Sequence, residues 1–141
     1  MIIGAMNDPK KNVADEISLF GEMGFDYVEL TIEAPGAHPE KLLKEKKAVQ
    51  DALSSYNFGV LAHMPWYFSV AHPYSSIQEA ISIEFCRAFD AAVSFGAKKV
   101  TLHSEFLPPG IQERPVHVAK TVESVGKLHK EARARGLELL V

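Results

Sequence analysis

His63 and His103 each close a short apolar run, Val60-Leu61-Ala62-His63 and Val100-Thr101-Leu102-His103, and one long amphipathic segment separates the runs. Two neutral imidazoles brought together can ligate a divalent metal or hydrogen-bond a polar substrate. The runs read as strands and the segment between them as a helix. A strand–helix–strand unit makes its two strands parallel. Both rings therefore emerge at the same C-terminal edge of a sheet, where α/β folds place their ligand sites.

The elements that must position this pair follow one grammar. An amphipathic helix, a glycine and a strand recur at Gly24-Phe25-Asp26-Tyr27-Val28-Glu29-Leu30, at Gly96-Ala97-Lys98-Lys99-Val100-Thr101-Leu102 and at Gly136-Leu137-Glu138-Leu139-Leu140-Val141, and Gly59 opens a strand similarly. Glycine just past a helix suits the left-handed position that ends it. The spacing predicts strands over 2–6, 27–32, 59–63, 98–103 and 137–141, and helices over 12–23, 39–56, 76–95 and 115–135. Start signals are Asn12 before Val13, Pro39, the capping-box pattern Ser75-Ser76-Ile77-Gln78, and Pro115. Ile77, Ala80, Ile81, Phe85, Ala88, Phe89 and Ala92 give the third helix its apolar face. Strands alternating with helices mean βαβ units and a parallel sheet.

Composition narrows the class. With 141 residues, 47% of them hydrophobic, the chain is one domain's worth of globular sequence, taken as a single domain over 1–141. A net charge of -3 gives no reason to expect a nucleic-acid or membrane-surface partner. Cys86 alone cannot staple a fold and reads as a core or boundary residue of a reducing, cytoplasmic environment. No apolar run is long enough to span a bilayer. Leu139-Leu140-Val141 is an apolar strand with no turn or cap after it, so the expectation is a truncated (β/α)8 barrel: four βα units and the fifth strand, about half of the usual 250 or so residues. The competing fold is a five-stranded doubly wound sheet.

Strand phase separates the two. Val28, Leu30 and Ile32 share one face of their strand, while Tyr27, Glu29, Thr31 and Glu33 share the other. Likewise Val100 and Leu102 oppose Thr101 and His103, and Val60 and Ala62 oppose Leu61 and His63. If the apolar faces pack on helices, Glu29, Glu33, His63 and His103 point to the opposite side. A doubly wound sheet would bury those carboxylates under more helices at a cost of several kcal/mol each, whereas a barrel exposes them at its mouth. The barrel is the better reading. Bland alternatives stand beside it: Glu29 paired to a lysine, Glu33 and His38 as solvated loop residues, Asn7-Asp8-Pro9 as a plain turn, His72 as a turn residue, His117 and His129 as structural or surface residues. Lys41, Lys44, Lys46 and Lys47 read as a solvated helix face.

Ala62-His63-Met64-Pro65-Trp66, a long helix and Gly96-Ala97-Lys98-Lys99-Val100-Thr101-Leu102-His103 together resemble the xylose-isomerase-like TIM-barrel superfamily, which holds sugar and sugar-phosphate isomerases and epimerases as well as endonuclease IV (AP endonuclease family 2). The histidine pair is similar to the endonuclease IV pattern, where the matching histidines bind zinc. Ser104-Glu105 stands where Pro-Gly is common, and Trp66 where tyrosine or phenylalanine is usual. The resemblance implies a metal-binding glutamate and acid/base carboxylates beyond Val141, so the fragment itself is expected to be inactive.

The favoured implication is a sugar or sugar-phosphate isomerase or epimerase using Mn, Mg, Co or Zn. His63 and His103 would ligate the metal, Glu29 would bind a hydroxyl or orient a histidine, Trp66 and Tyr67 would wall the pocket, and Asn7 would contact substrate. One alternative is an endonuclease IV-like zinc phosphodiesterase acting on abasic DNA. The segment from Phe106 to Glu113, apolar and acidic until Arg114, weighs mildly against it. The other alternative is a non-catalytic half-barrel acting by assembly, with self-association through open strand edges.

Overall fold

A computed structural model describes residues 1–104 and 113–141. The segment from Glu105 to Gln112, and with it nearly all of the apolar and acidic loop weighed above, lies outside the described residues. The described residues form β1 (Gly4–Met6), α1 (Val13–Glu22), β2 (Tyr27–Thr31), α2 (Pro39–Lys44), α3 (Lys46–Ser55), β3 (Gly59–His63), α4 (Ser75–Ser94), β4 (Lys99–Thr101), α5 (Arg114–Ala134) and β5 (Glu138–Leu140), in that order. The five strands form one parallel sheet in the order β1-β2-β3-β4-β5. Sequential order distinguishes the barrel from the doubly wound sheet, in which strand order reverses at a switch point. The architecture is the α/β arrangement of half a (β/α)8 barrel.

The core lies between the sheet and its helices. Val28, Leu30, Ile32, Ala62, Val100 and Leu102 are buried against Val13, Ile17, Leu42, Val49, Phe85 and Phe89, as the strand phase requires. At the first helix, Asn12 Oδ1 accepts from the Asp15 N–H and closes the N-terminus. Gly24, Gly96 and Gly136 take positive φ just after α1, α4 and α5, the left-handed conformation glycine adopts without strain. After α3 the positive φ belongs to Asn57 instead, and Gly59 simply begins β3.

Three expectations about elements change. The helix over 39–56 is two helices, broken at Glu45, because its halves pack on different neighbours: α2 against α4 and α3 against α1. The capping box at Ser75 does not form; Tyr74 is the N-cap without a side-chain bond. Gln78 instead donates to the Val70 carbonyl at 3.0 Å and to Ser124 Oγ at 2.5 Å, tying α4 to α5. The first turns of α4 overhang the core, so Ile77 and Ala80 are exposed, and burial begins in earnest at Phe85. No helix among the described residues is long and apolar enough to cross a membrane.

Candidate functional site

Parallel register assembles the site. Thr31 of β2 pairs with His63 of β3, and His63 with Thr101 of β4, so Glu29, two residues before Thr31, and His103, two residues after Thr101, flank His63 on the inner face. Glu29 Oε1 lies 2.7 Å from His63 Nδ1, and His63 Nε2 lies 2.8 Å from His103 Nε2. The two rings sit 4.8 Å apart between centroids, inclined by 38°. The bond to a carboxylate fixes the proton of His63 on Nδ1, so in the neutral ring Nε2 carries a lone pair and accepts from the His103 Nε2–H.

This geometry fits two donors to one cation. Two ring nitrogens each about 2.1 Å from a shared metal stand roughly 3 Å apart when bound side by side, close to the separation observed, and the carboxylate behind the first imidazole is the usual support of a metal-bound histidine. Among the described residues no third His, Cys, Asp or Glu joins them to complete a metal cluster. Two imidazole nitrogens are fewer donors than a divalent cation takes.

Glu33 lies just past β2 on the same side and is only 7% exposed. Burial pushes its carboxyl above the usual carboxylate range, opposed by the nearby His63, the Trp66 backbone N–H that donates to it, and His103. A solvated loop carboxylate is therefore the wrong description. His38 is no free loop residue either: it caps α2, with Nδ1 accepting from the Glu40 N–H at 3.3 Å. Asn7 is buried beside β2, where its Oδ1 accepts from the Thr31 N–H at 2.8 Å.

Trp66 and Tyr67 occupy the rim at 63% and 46% exposure, so they border the mouth and do not close it. Their rings meet edge to face, and the contact continues from Tyr67 to Phe68 and from Phe68 to core residue Phe85. Burial of the Tyr67 hydroxyl raises its pKa, against the Ala34 N–H that donates to it.

The remaining histidines behave as bland readings have them. His72 Nδ1 accepts from the Tyr74 N–H in a turn, His117 is buried in α5 and His129 is exposed on it. The lysines of α2 and α3 are solvated, with Lys47 paired to Asp51 one turn on. Thr31 is the inner-face residue that sequence reasoning passed over, although its alternation with Glu29 and Glu33 was the signal that marked it.

Comparison with solved structures finds the same fold in a sugar epimerase and in epimerase-like and isomerase-like proteins. D-psicose 3-epimerase solved in the presence of D-fructose is 15% identical, with a TM-score of 0.81 over 99% of this chain and 51% of its own. A D-tagatose 3-epimerase-like protein is 13% identical, with a TM-score of 0.82 over 98% and 51%. A xylose isomerase-like TIM barrel protein from Mycobacterium smegmatis, solved in complex with magnesium, is 20% identical, with a TM-score of 0.69 over 98% and 53%. This chain spans about half the length of each. A search of curated proteins finds no match. The family model for the xylose isomerase-like TIM barrel matches residues 17–141, and the chain belongs to that family.

Proposed function

We propose that this half-barrel belongs to a divalent-metal-dependent sugar or sugar-phosphate isomerase or epimerase. The observation that carries the reading is the hydrogen-bonded run Glu29–His63–His103 at the C-terminal edge of the sheet. The similarity in fold to epimerases solved with D-fructose and with D-allulose supports a hydroxyl-rich ligand, and the magnesium complex of the mycobacterial protein supports a hard cation. A bound divalent cation supplies Lewis acidity toward a carbonyl and its adjacent hydroxyl oxygens. Glu29 holds His63 in the tautomer that presents the Nε2 lone pair, and His103, whose Nε2 proton would be given up on metal binding, faces the same point. Trp66 and Tyr67 offer aromatic faces at the rim to the C–H side of a sugar.

The test has a binding arm and a chemical arm. Titrating Mn²⁺, Mg²⁺, Co²⁺ or Zn²⁺ should shift the His63 and His103 ring resonances together, and Glu29→Gln should weaken that binding about ten- to a hundredfold. The complete barrel, loaded with metal, should incorporate solvent deuterium at the carbon beside a ketose carbonyl. Cleavage of abasic-site DNA without sugar turnover would replace this reading by the zinc phosphodiesterase. Absence of metal binding and of both reactions would leave a half-barrel that acts by assembly.

A further inference from the structure

The mouth contains polar atoms that the histidine pair does not use. Asn7 Nδ2, Thr31 Oγ1 and Glu33 Oε2 are buried and have no hydrogen-bond partner among the described residues. Buried donors and acceptors are almost always satisfied in native proteins, because leaving one unpaired carries its full desolvation cost. All three belong to the C-terminal ends of the first two strands. Thr31 ends β2 and Glu33 lies two residues further on, on the same side, and Asn7 is fastened beside Thr31 through its Oδ1.

The surrounding backbone holds these groups in place. Gly36 N–H donates to the Pro9 carbonyl at 2.6 Å, and a Cβ at Gly36 would run into the backbone of Pro9 and Lys11, so the loops carrying Asn7 and Glu33 are locked together. Groups fixed in advance bind a ligand without paying to order themselves. The set comprises an amide N–H donor, a hydroxyl and a carboxyl oxygen. It does not suit a cation, since Asn7 Nδ2 presents hydrogens; it suits a group that both accepts and donates a hydrogen bond.

We propose that Asn7, Thr31 and Glu33 form a hydroxyl-recognising subsite on the β1–β2 side of His63, in which one sugar hydroxyl accepts from Asn7 Nδ2 and donates to Glu33 Oε2, with Thr31 Oγ1 completing the shell. The proposal rests on the sugar reading above and adds a specificity determinant to it. The three atoms are closed off from bulk solvent. The Trp66–Tyr67 segment, solvent-facing in its rings and held to the residues after β2 by the Trp66 N–H that donates to Glu33 and the Ala34 N–H that donates to the Tyr67 oxygen, would have to yield to admit the hydroxyl.

D-fructose is the probe, added to the metal-loaded protein while the ring signals of His63 and His103 and the side-chain amide signals of Asn7 are followed by NMR. Two near-isosteric variants accompany it, Glu33→Gln and Thr31→Val. We expect both sets of signals to move and each variant to bind about tenfold more weakly, the effect of one lost hydrogen bond, while unfolding at or above the wild-type temperature, because Thr31→Val removes an unsatisfied buried hydroxyl and Glu33→Gln a desolvated charge. If the ring signals move, the Asn7 amide does not, and both variants bind within twofold of wild type, the subsite is overturned, its atoms hold only a bridging water, and the sugar reading survives. Variants that lose stability together with affinity also overturn it in favour of a structural role. If no signal moves, the subsite and the sugar reading fall together.

Discussion

Glu29 in β2 and Glu33 just past it stand on the same side of the sheet, yet their surroundings differ. Glu29 is bonded to an imidazole. Glu33 is buried with one oxygen unpaired among the described residues, and desolvation raises its pKa above that of a free carboxyl. Because the folded-state pKa is the higher one, this group lowers stability as pH rises. The penalty is absent below the unfolded-state value, sets in as pH passes 4.5, and is complete once pH exceeds the raised folded value. His63 and His103 face the carboxyl and oppose the rise in its pKa. Urea unfolding of wild type and Glu33→Gln across pH 4 to 8 should therefore show the variant gaining on wild type as pH rises, whereas a constant difference between the two curves would contradict it. A second lesson at this scale concerns Asn7, whose Oδ1 braces the β2 backbone and whose Nδ2 remains free to face a ligand.

Among the elements, helix ends were legible where the backbone alone sets the requirement. A residue that must adopt positive φ is read from its glycine, and Gly24, Gly96 and Gly136 all adopt it. Gly96 has φ +83 with nothing within 4 Å of a hypothetical Cβ, so Gly96→Ala isolates backbone strain from crowding. It should destabilise the protein by about 1 kcal/mol, measured by chemical denaturation, and an unchanged midpoint would show that the turn relaxes freely. Signals that depend on side-chain partners fared less well. The capping pattern at Ser75 competes with the bond from Gln78 to Ser124 across two helices, and the long helix over 39–56 divides because α1 and α4 draw its halves to different places. Neither partner is visible in local sequence.

At the scale of the whole molecule, β1 and β5 pair on one side only among the described residues. Unpaired strand edges are templates for further pairing, and a closed barrel is the arrangement that removes them. Met6 beside the β1 edge is exposed, as are Ile2 and Ile3 before it. The chain studied alone should associate with itself at micromolar concentration, with light scattering reporting dimers or larger species. A monodisperse, stable monomer would mean that the two edges are protected in a way the described residues do not reveal.

What the sequence determined by itself was whatever period and backbone geometry dictate: the alternation of strands and helices, the inner and outer faces of each strand, the glycine turns, and the convergence of His63 and His103 on one edge. Two-residue periodicity and the parallel sense of βαβ units fix those outcomes locally. The tertiary structure alone decided how the side chains at that edge meet. Glu29 finds His63 because β2 and β3 pair in a register that sets Thr31 opposite His63. Glu33 is buried because the segment after β3 folds back and bonds it through Trp66, and Asn7 reaches Thr31 across a strand boundary. Register, burial and cross-strand bonds join residues far apart in the chain, and no local pattern encodes which of them will touch.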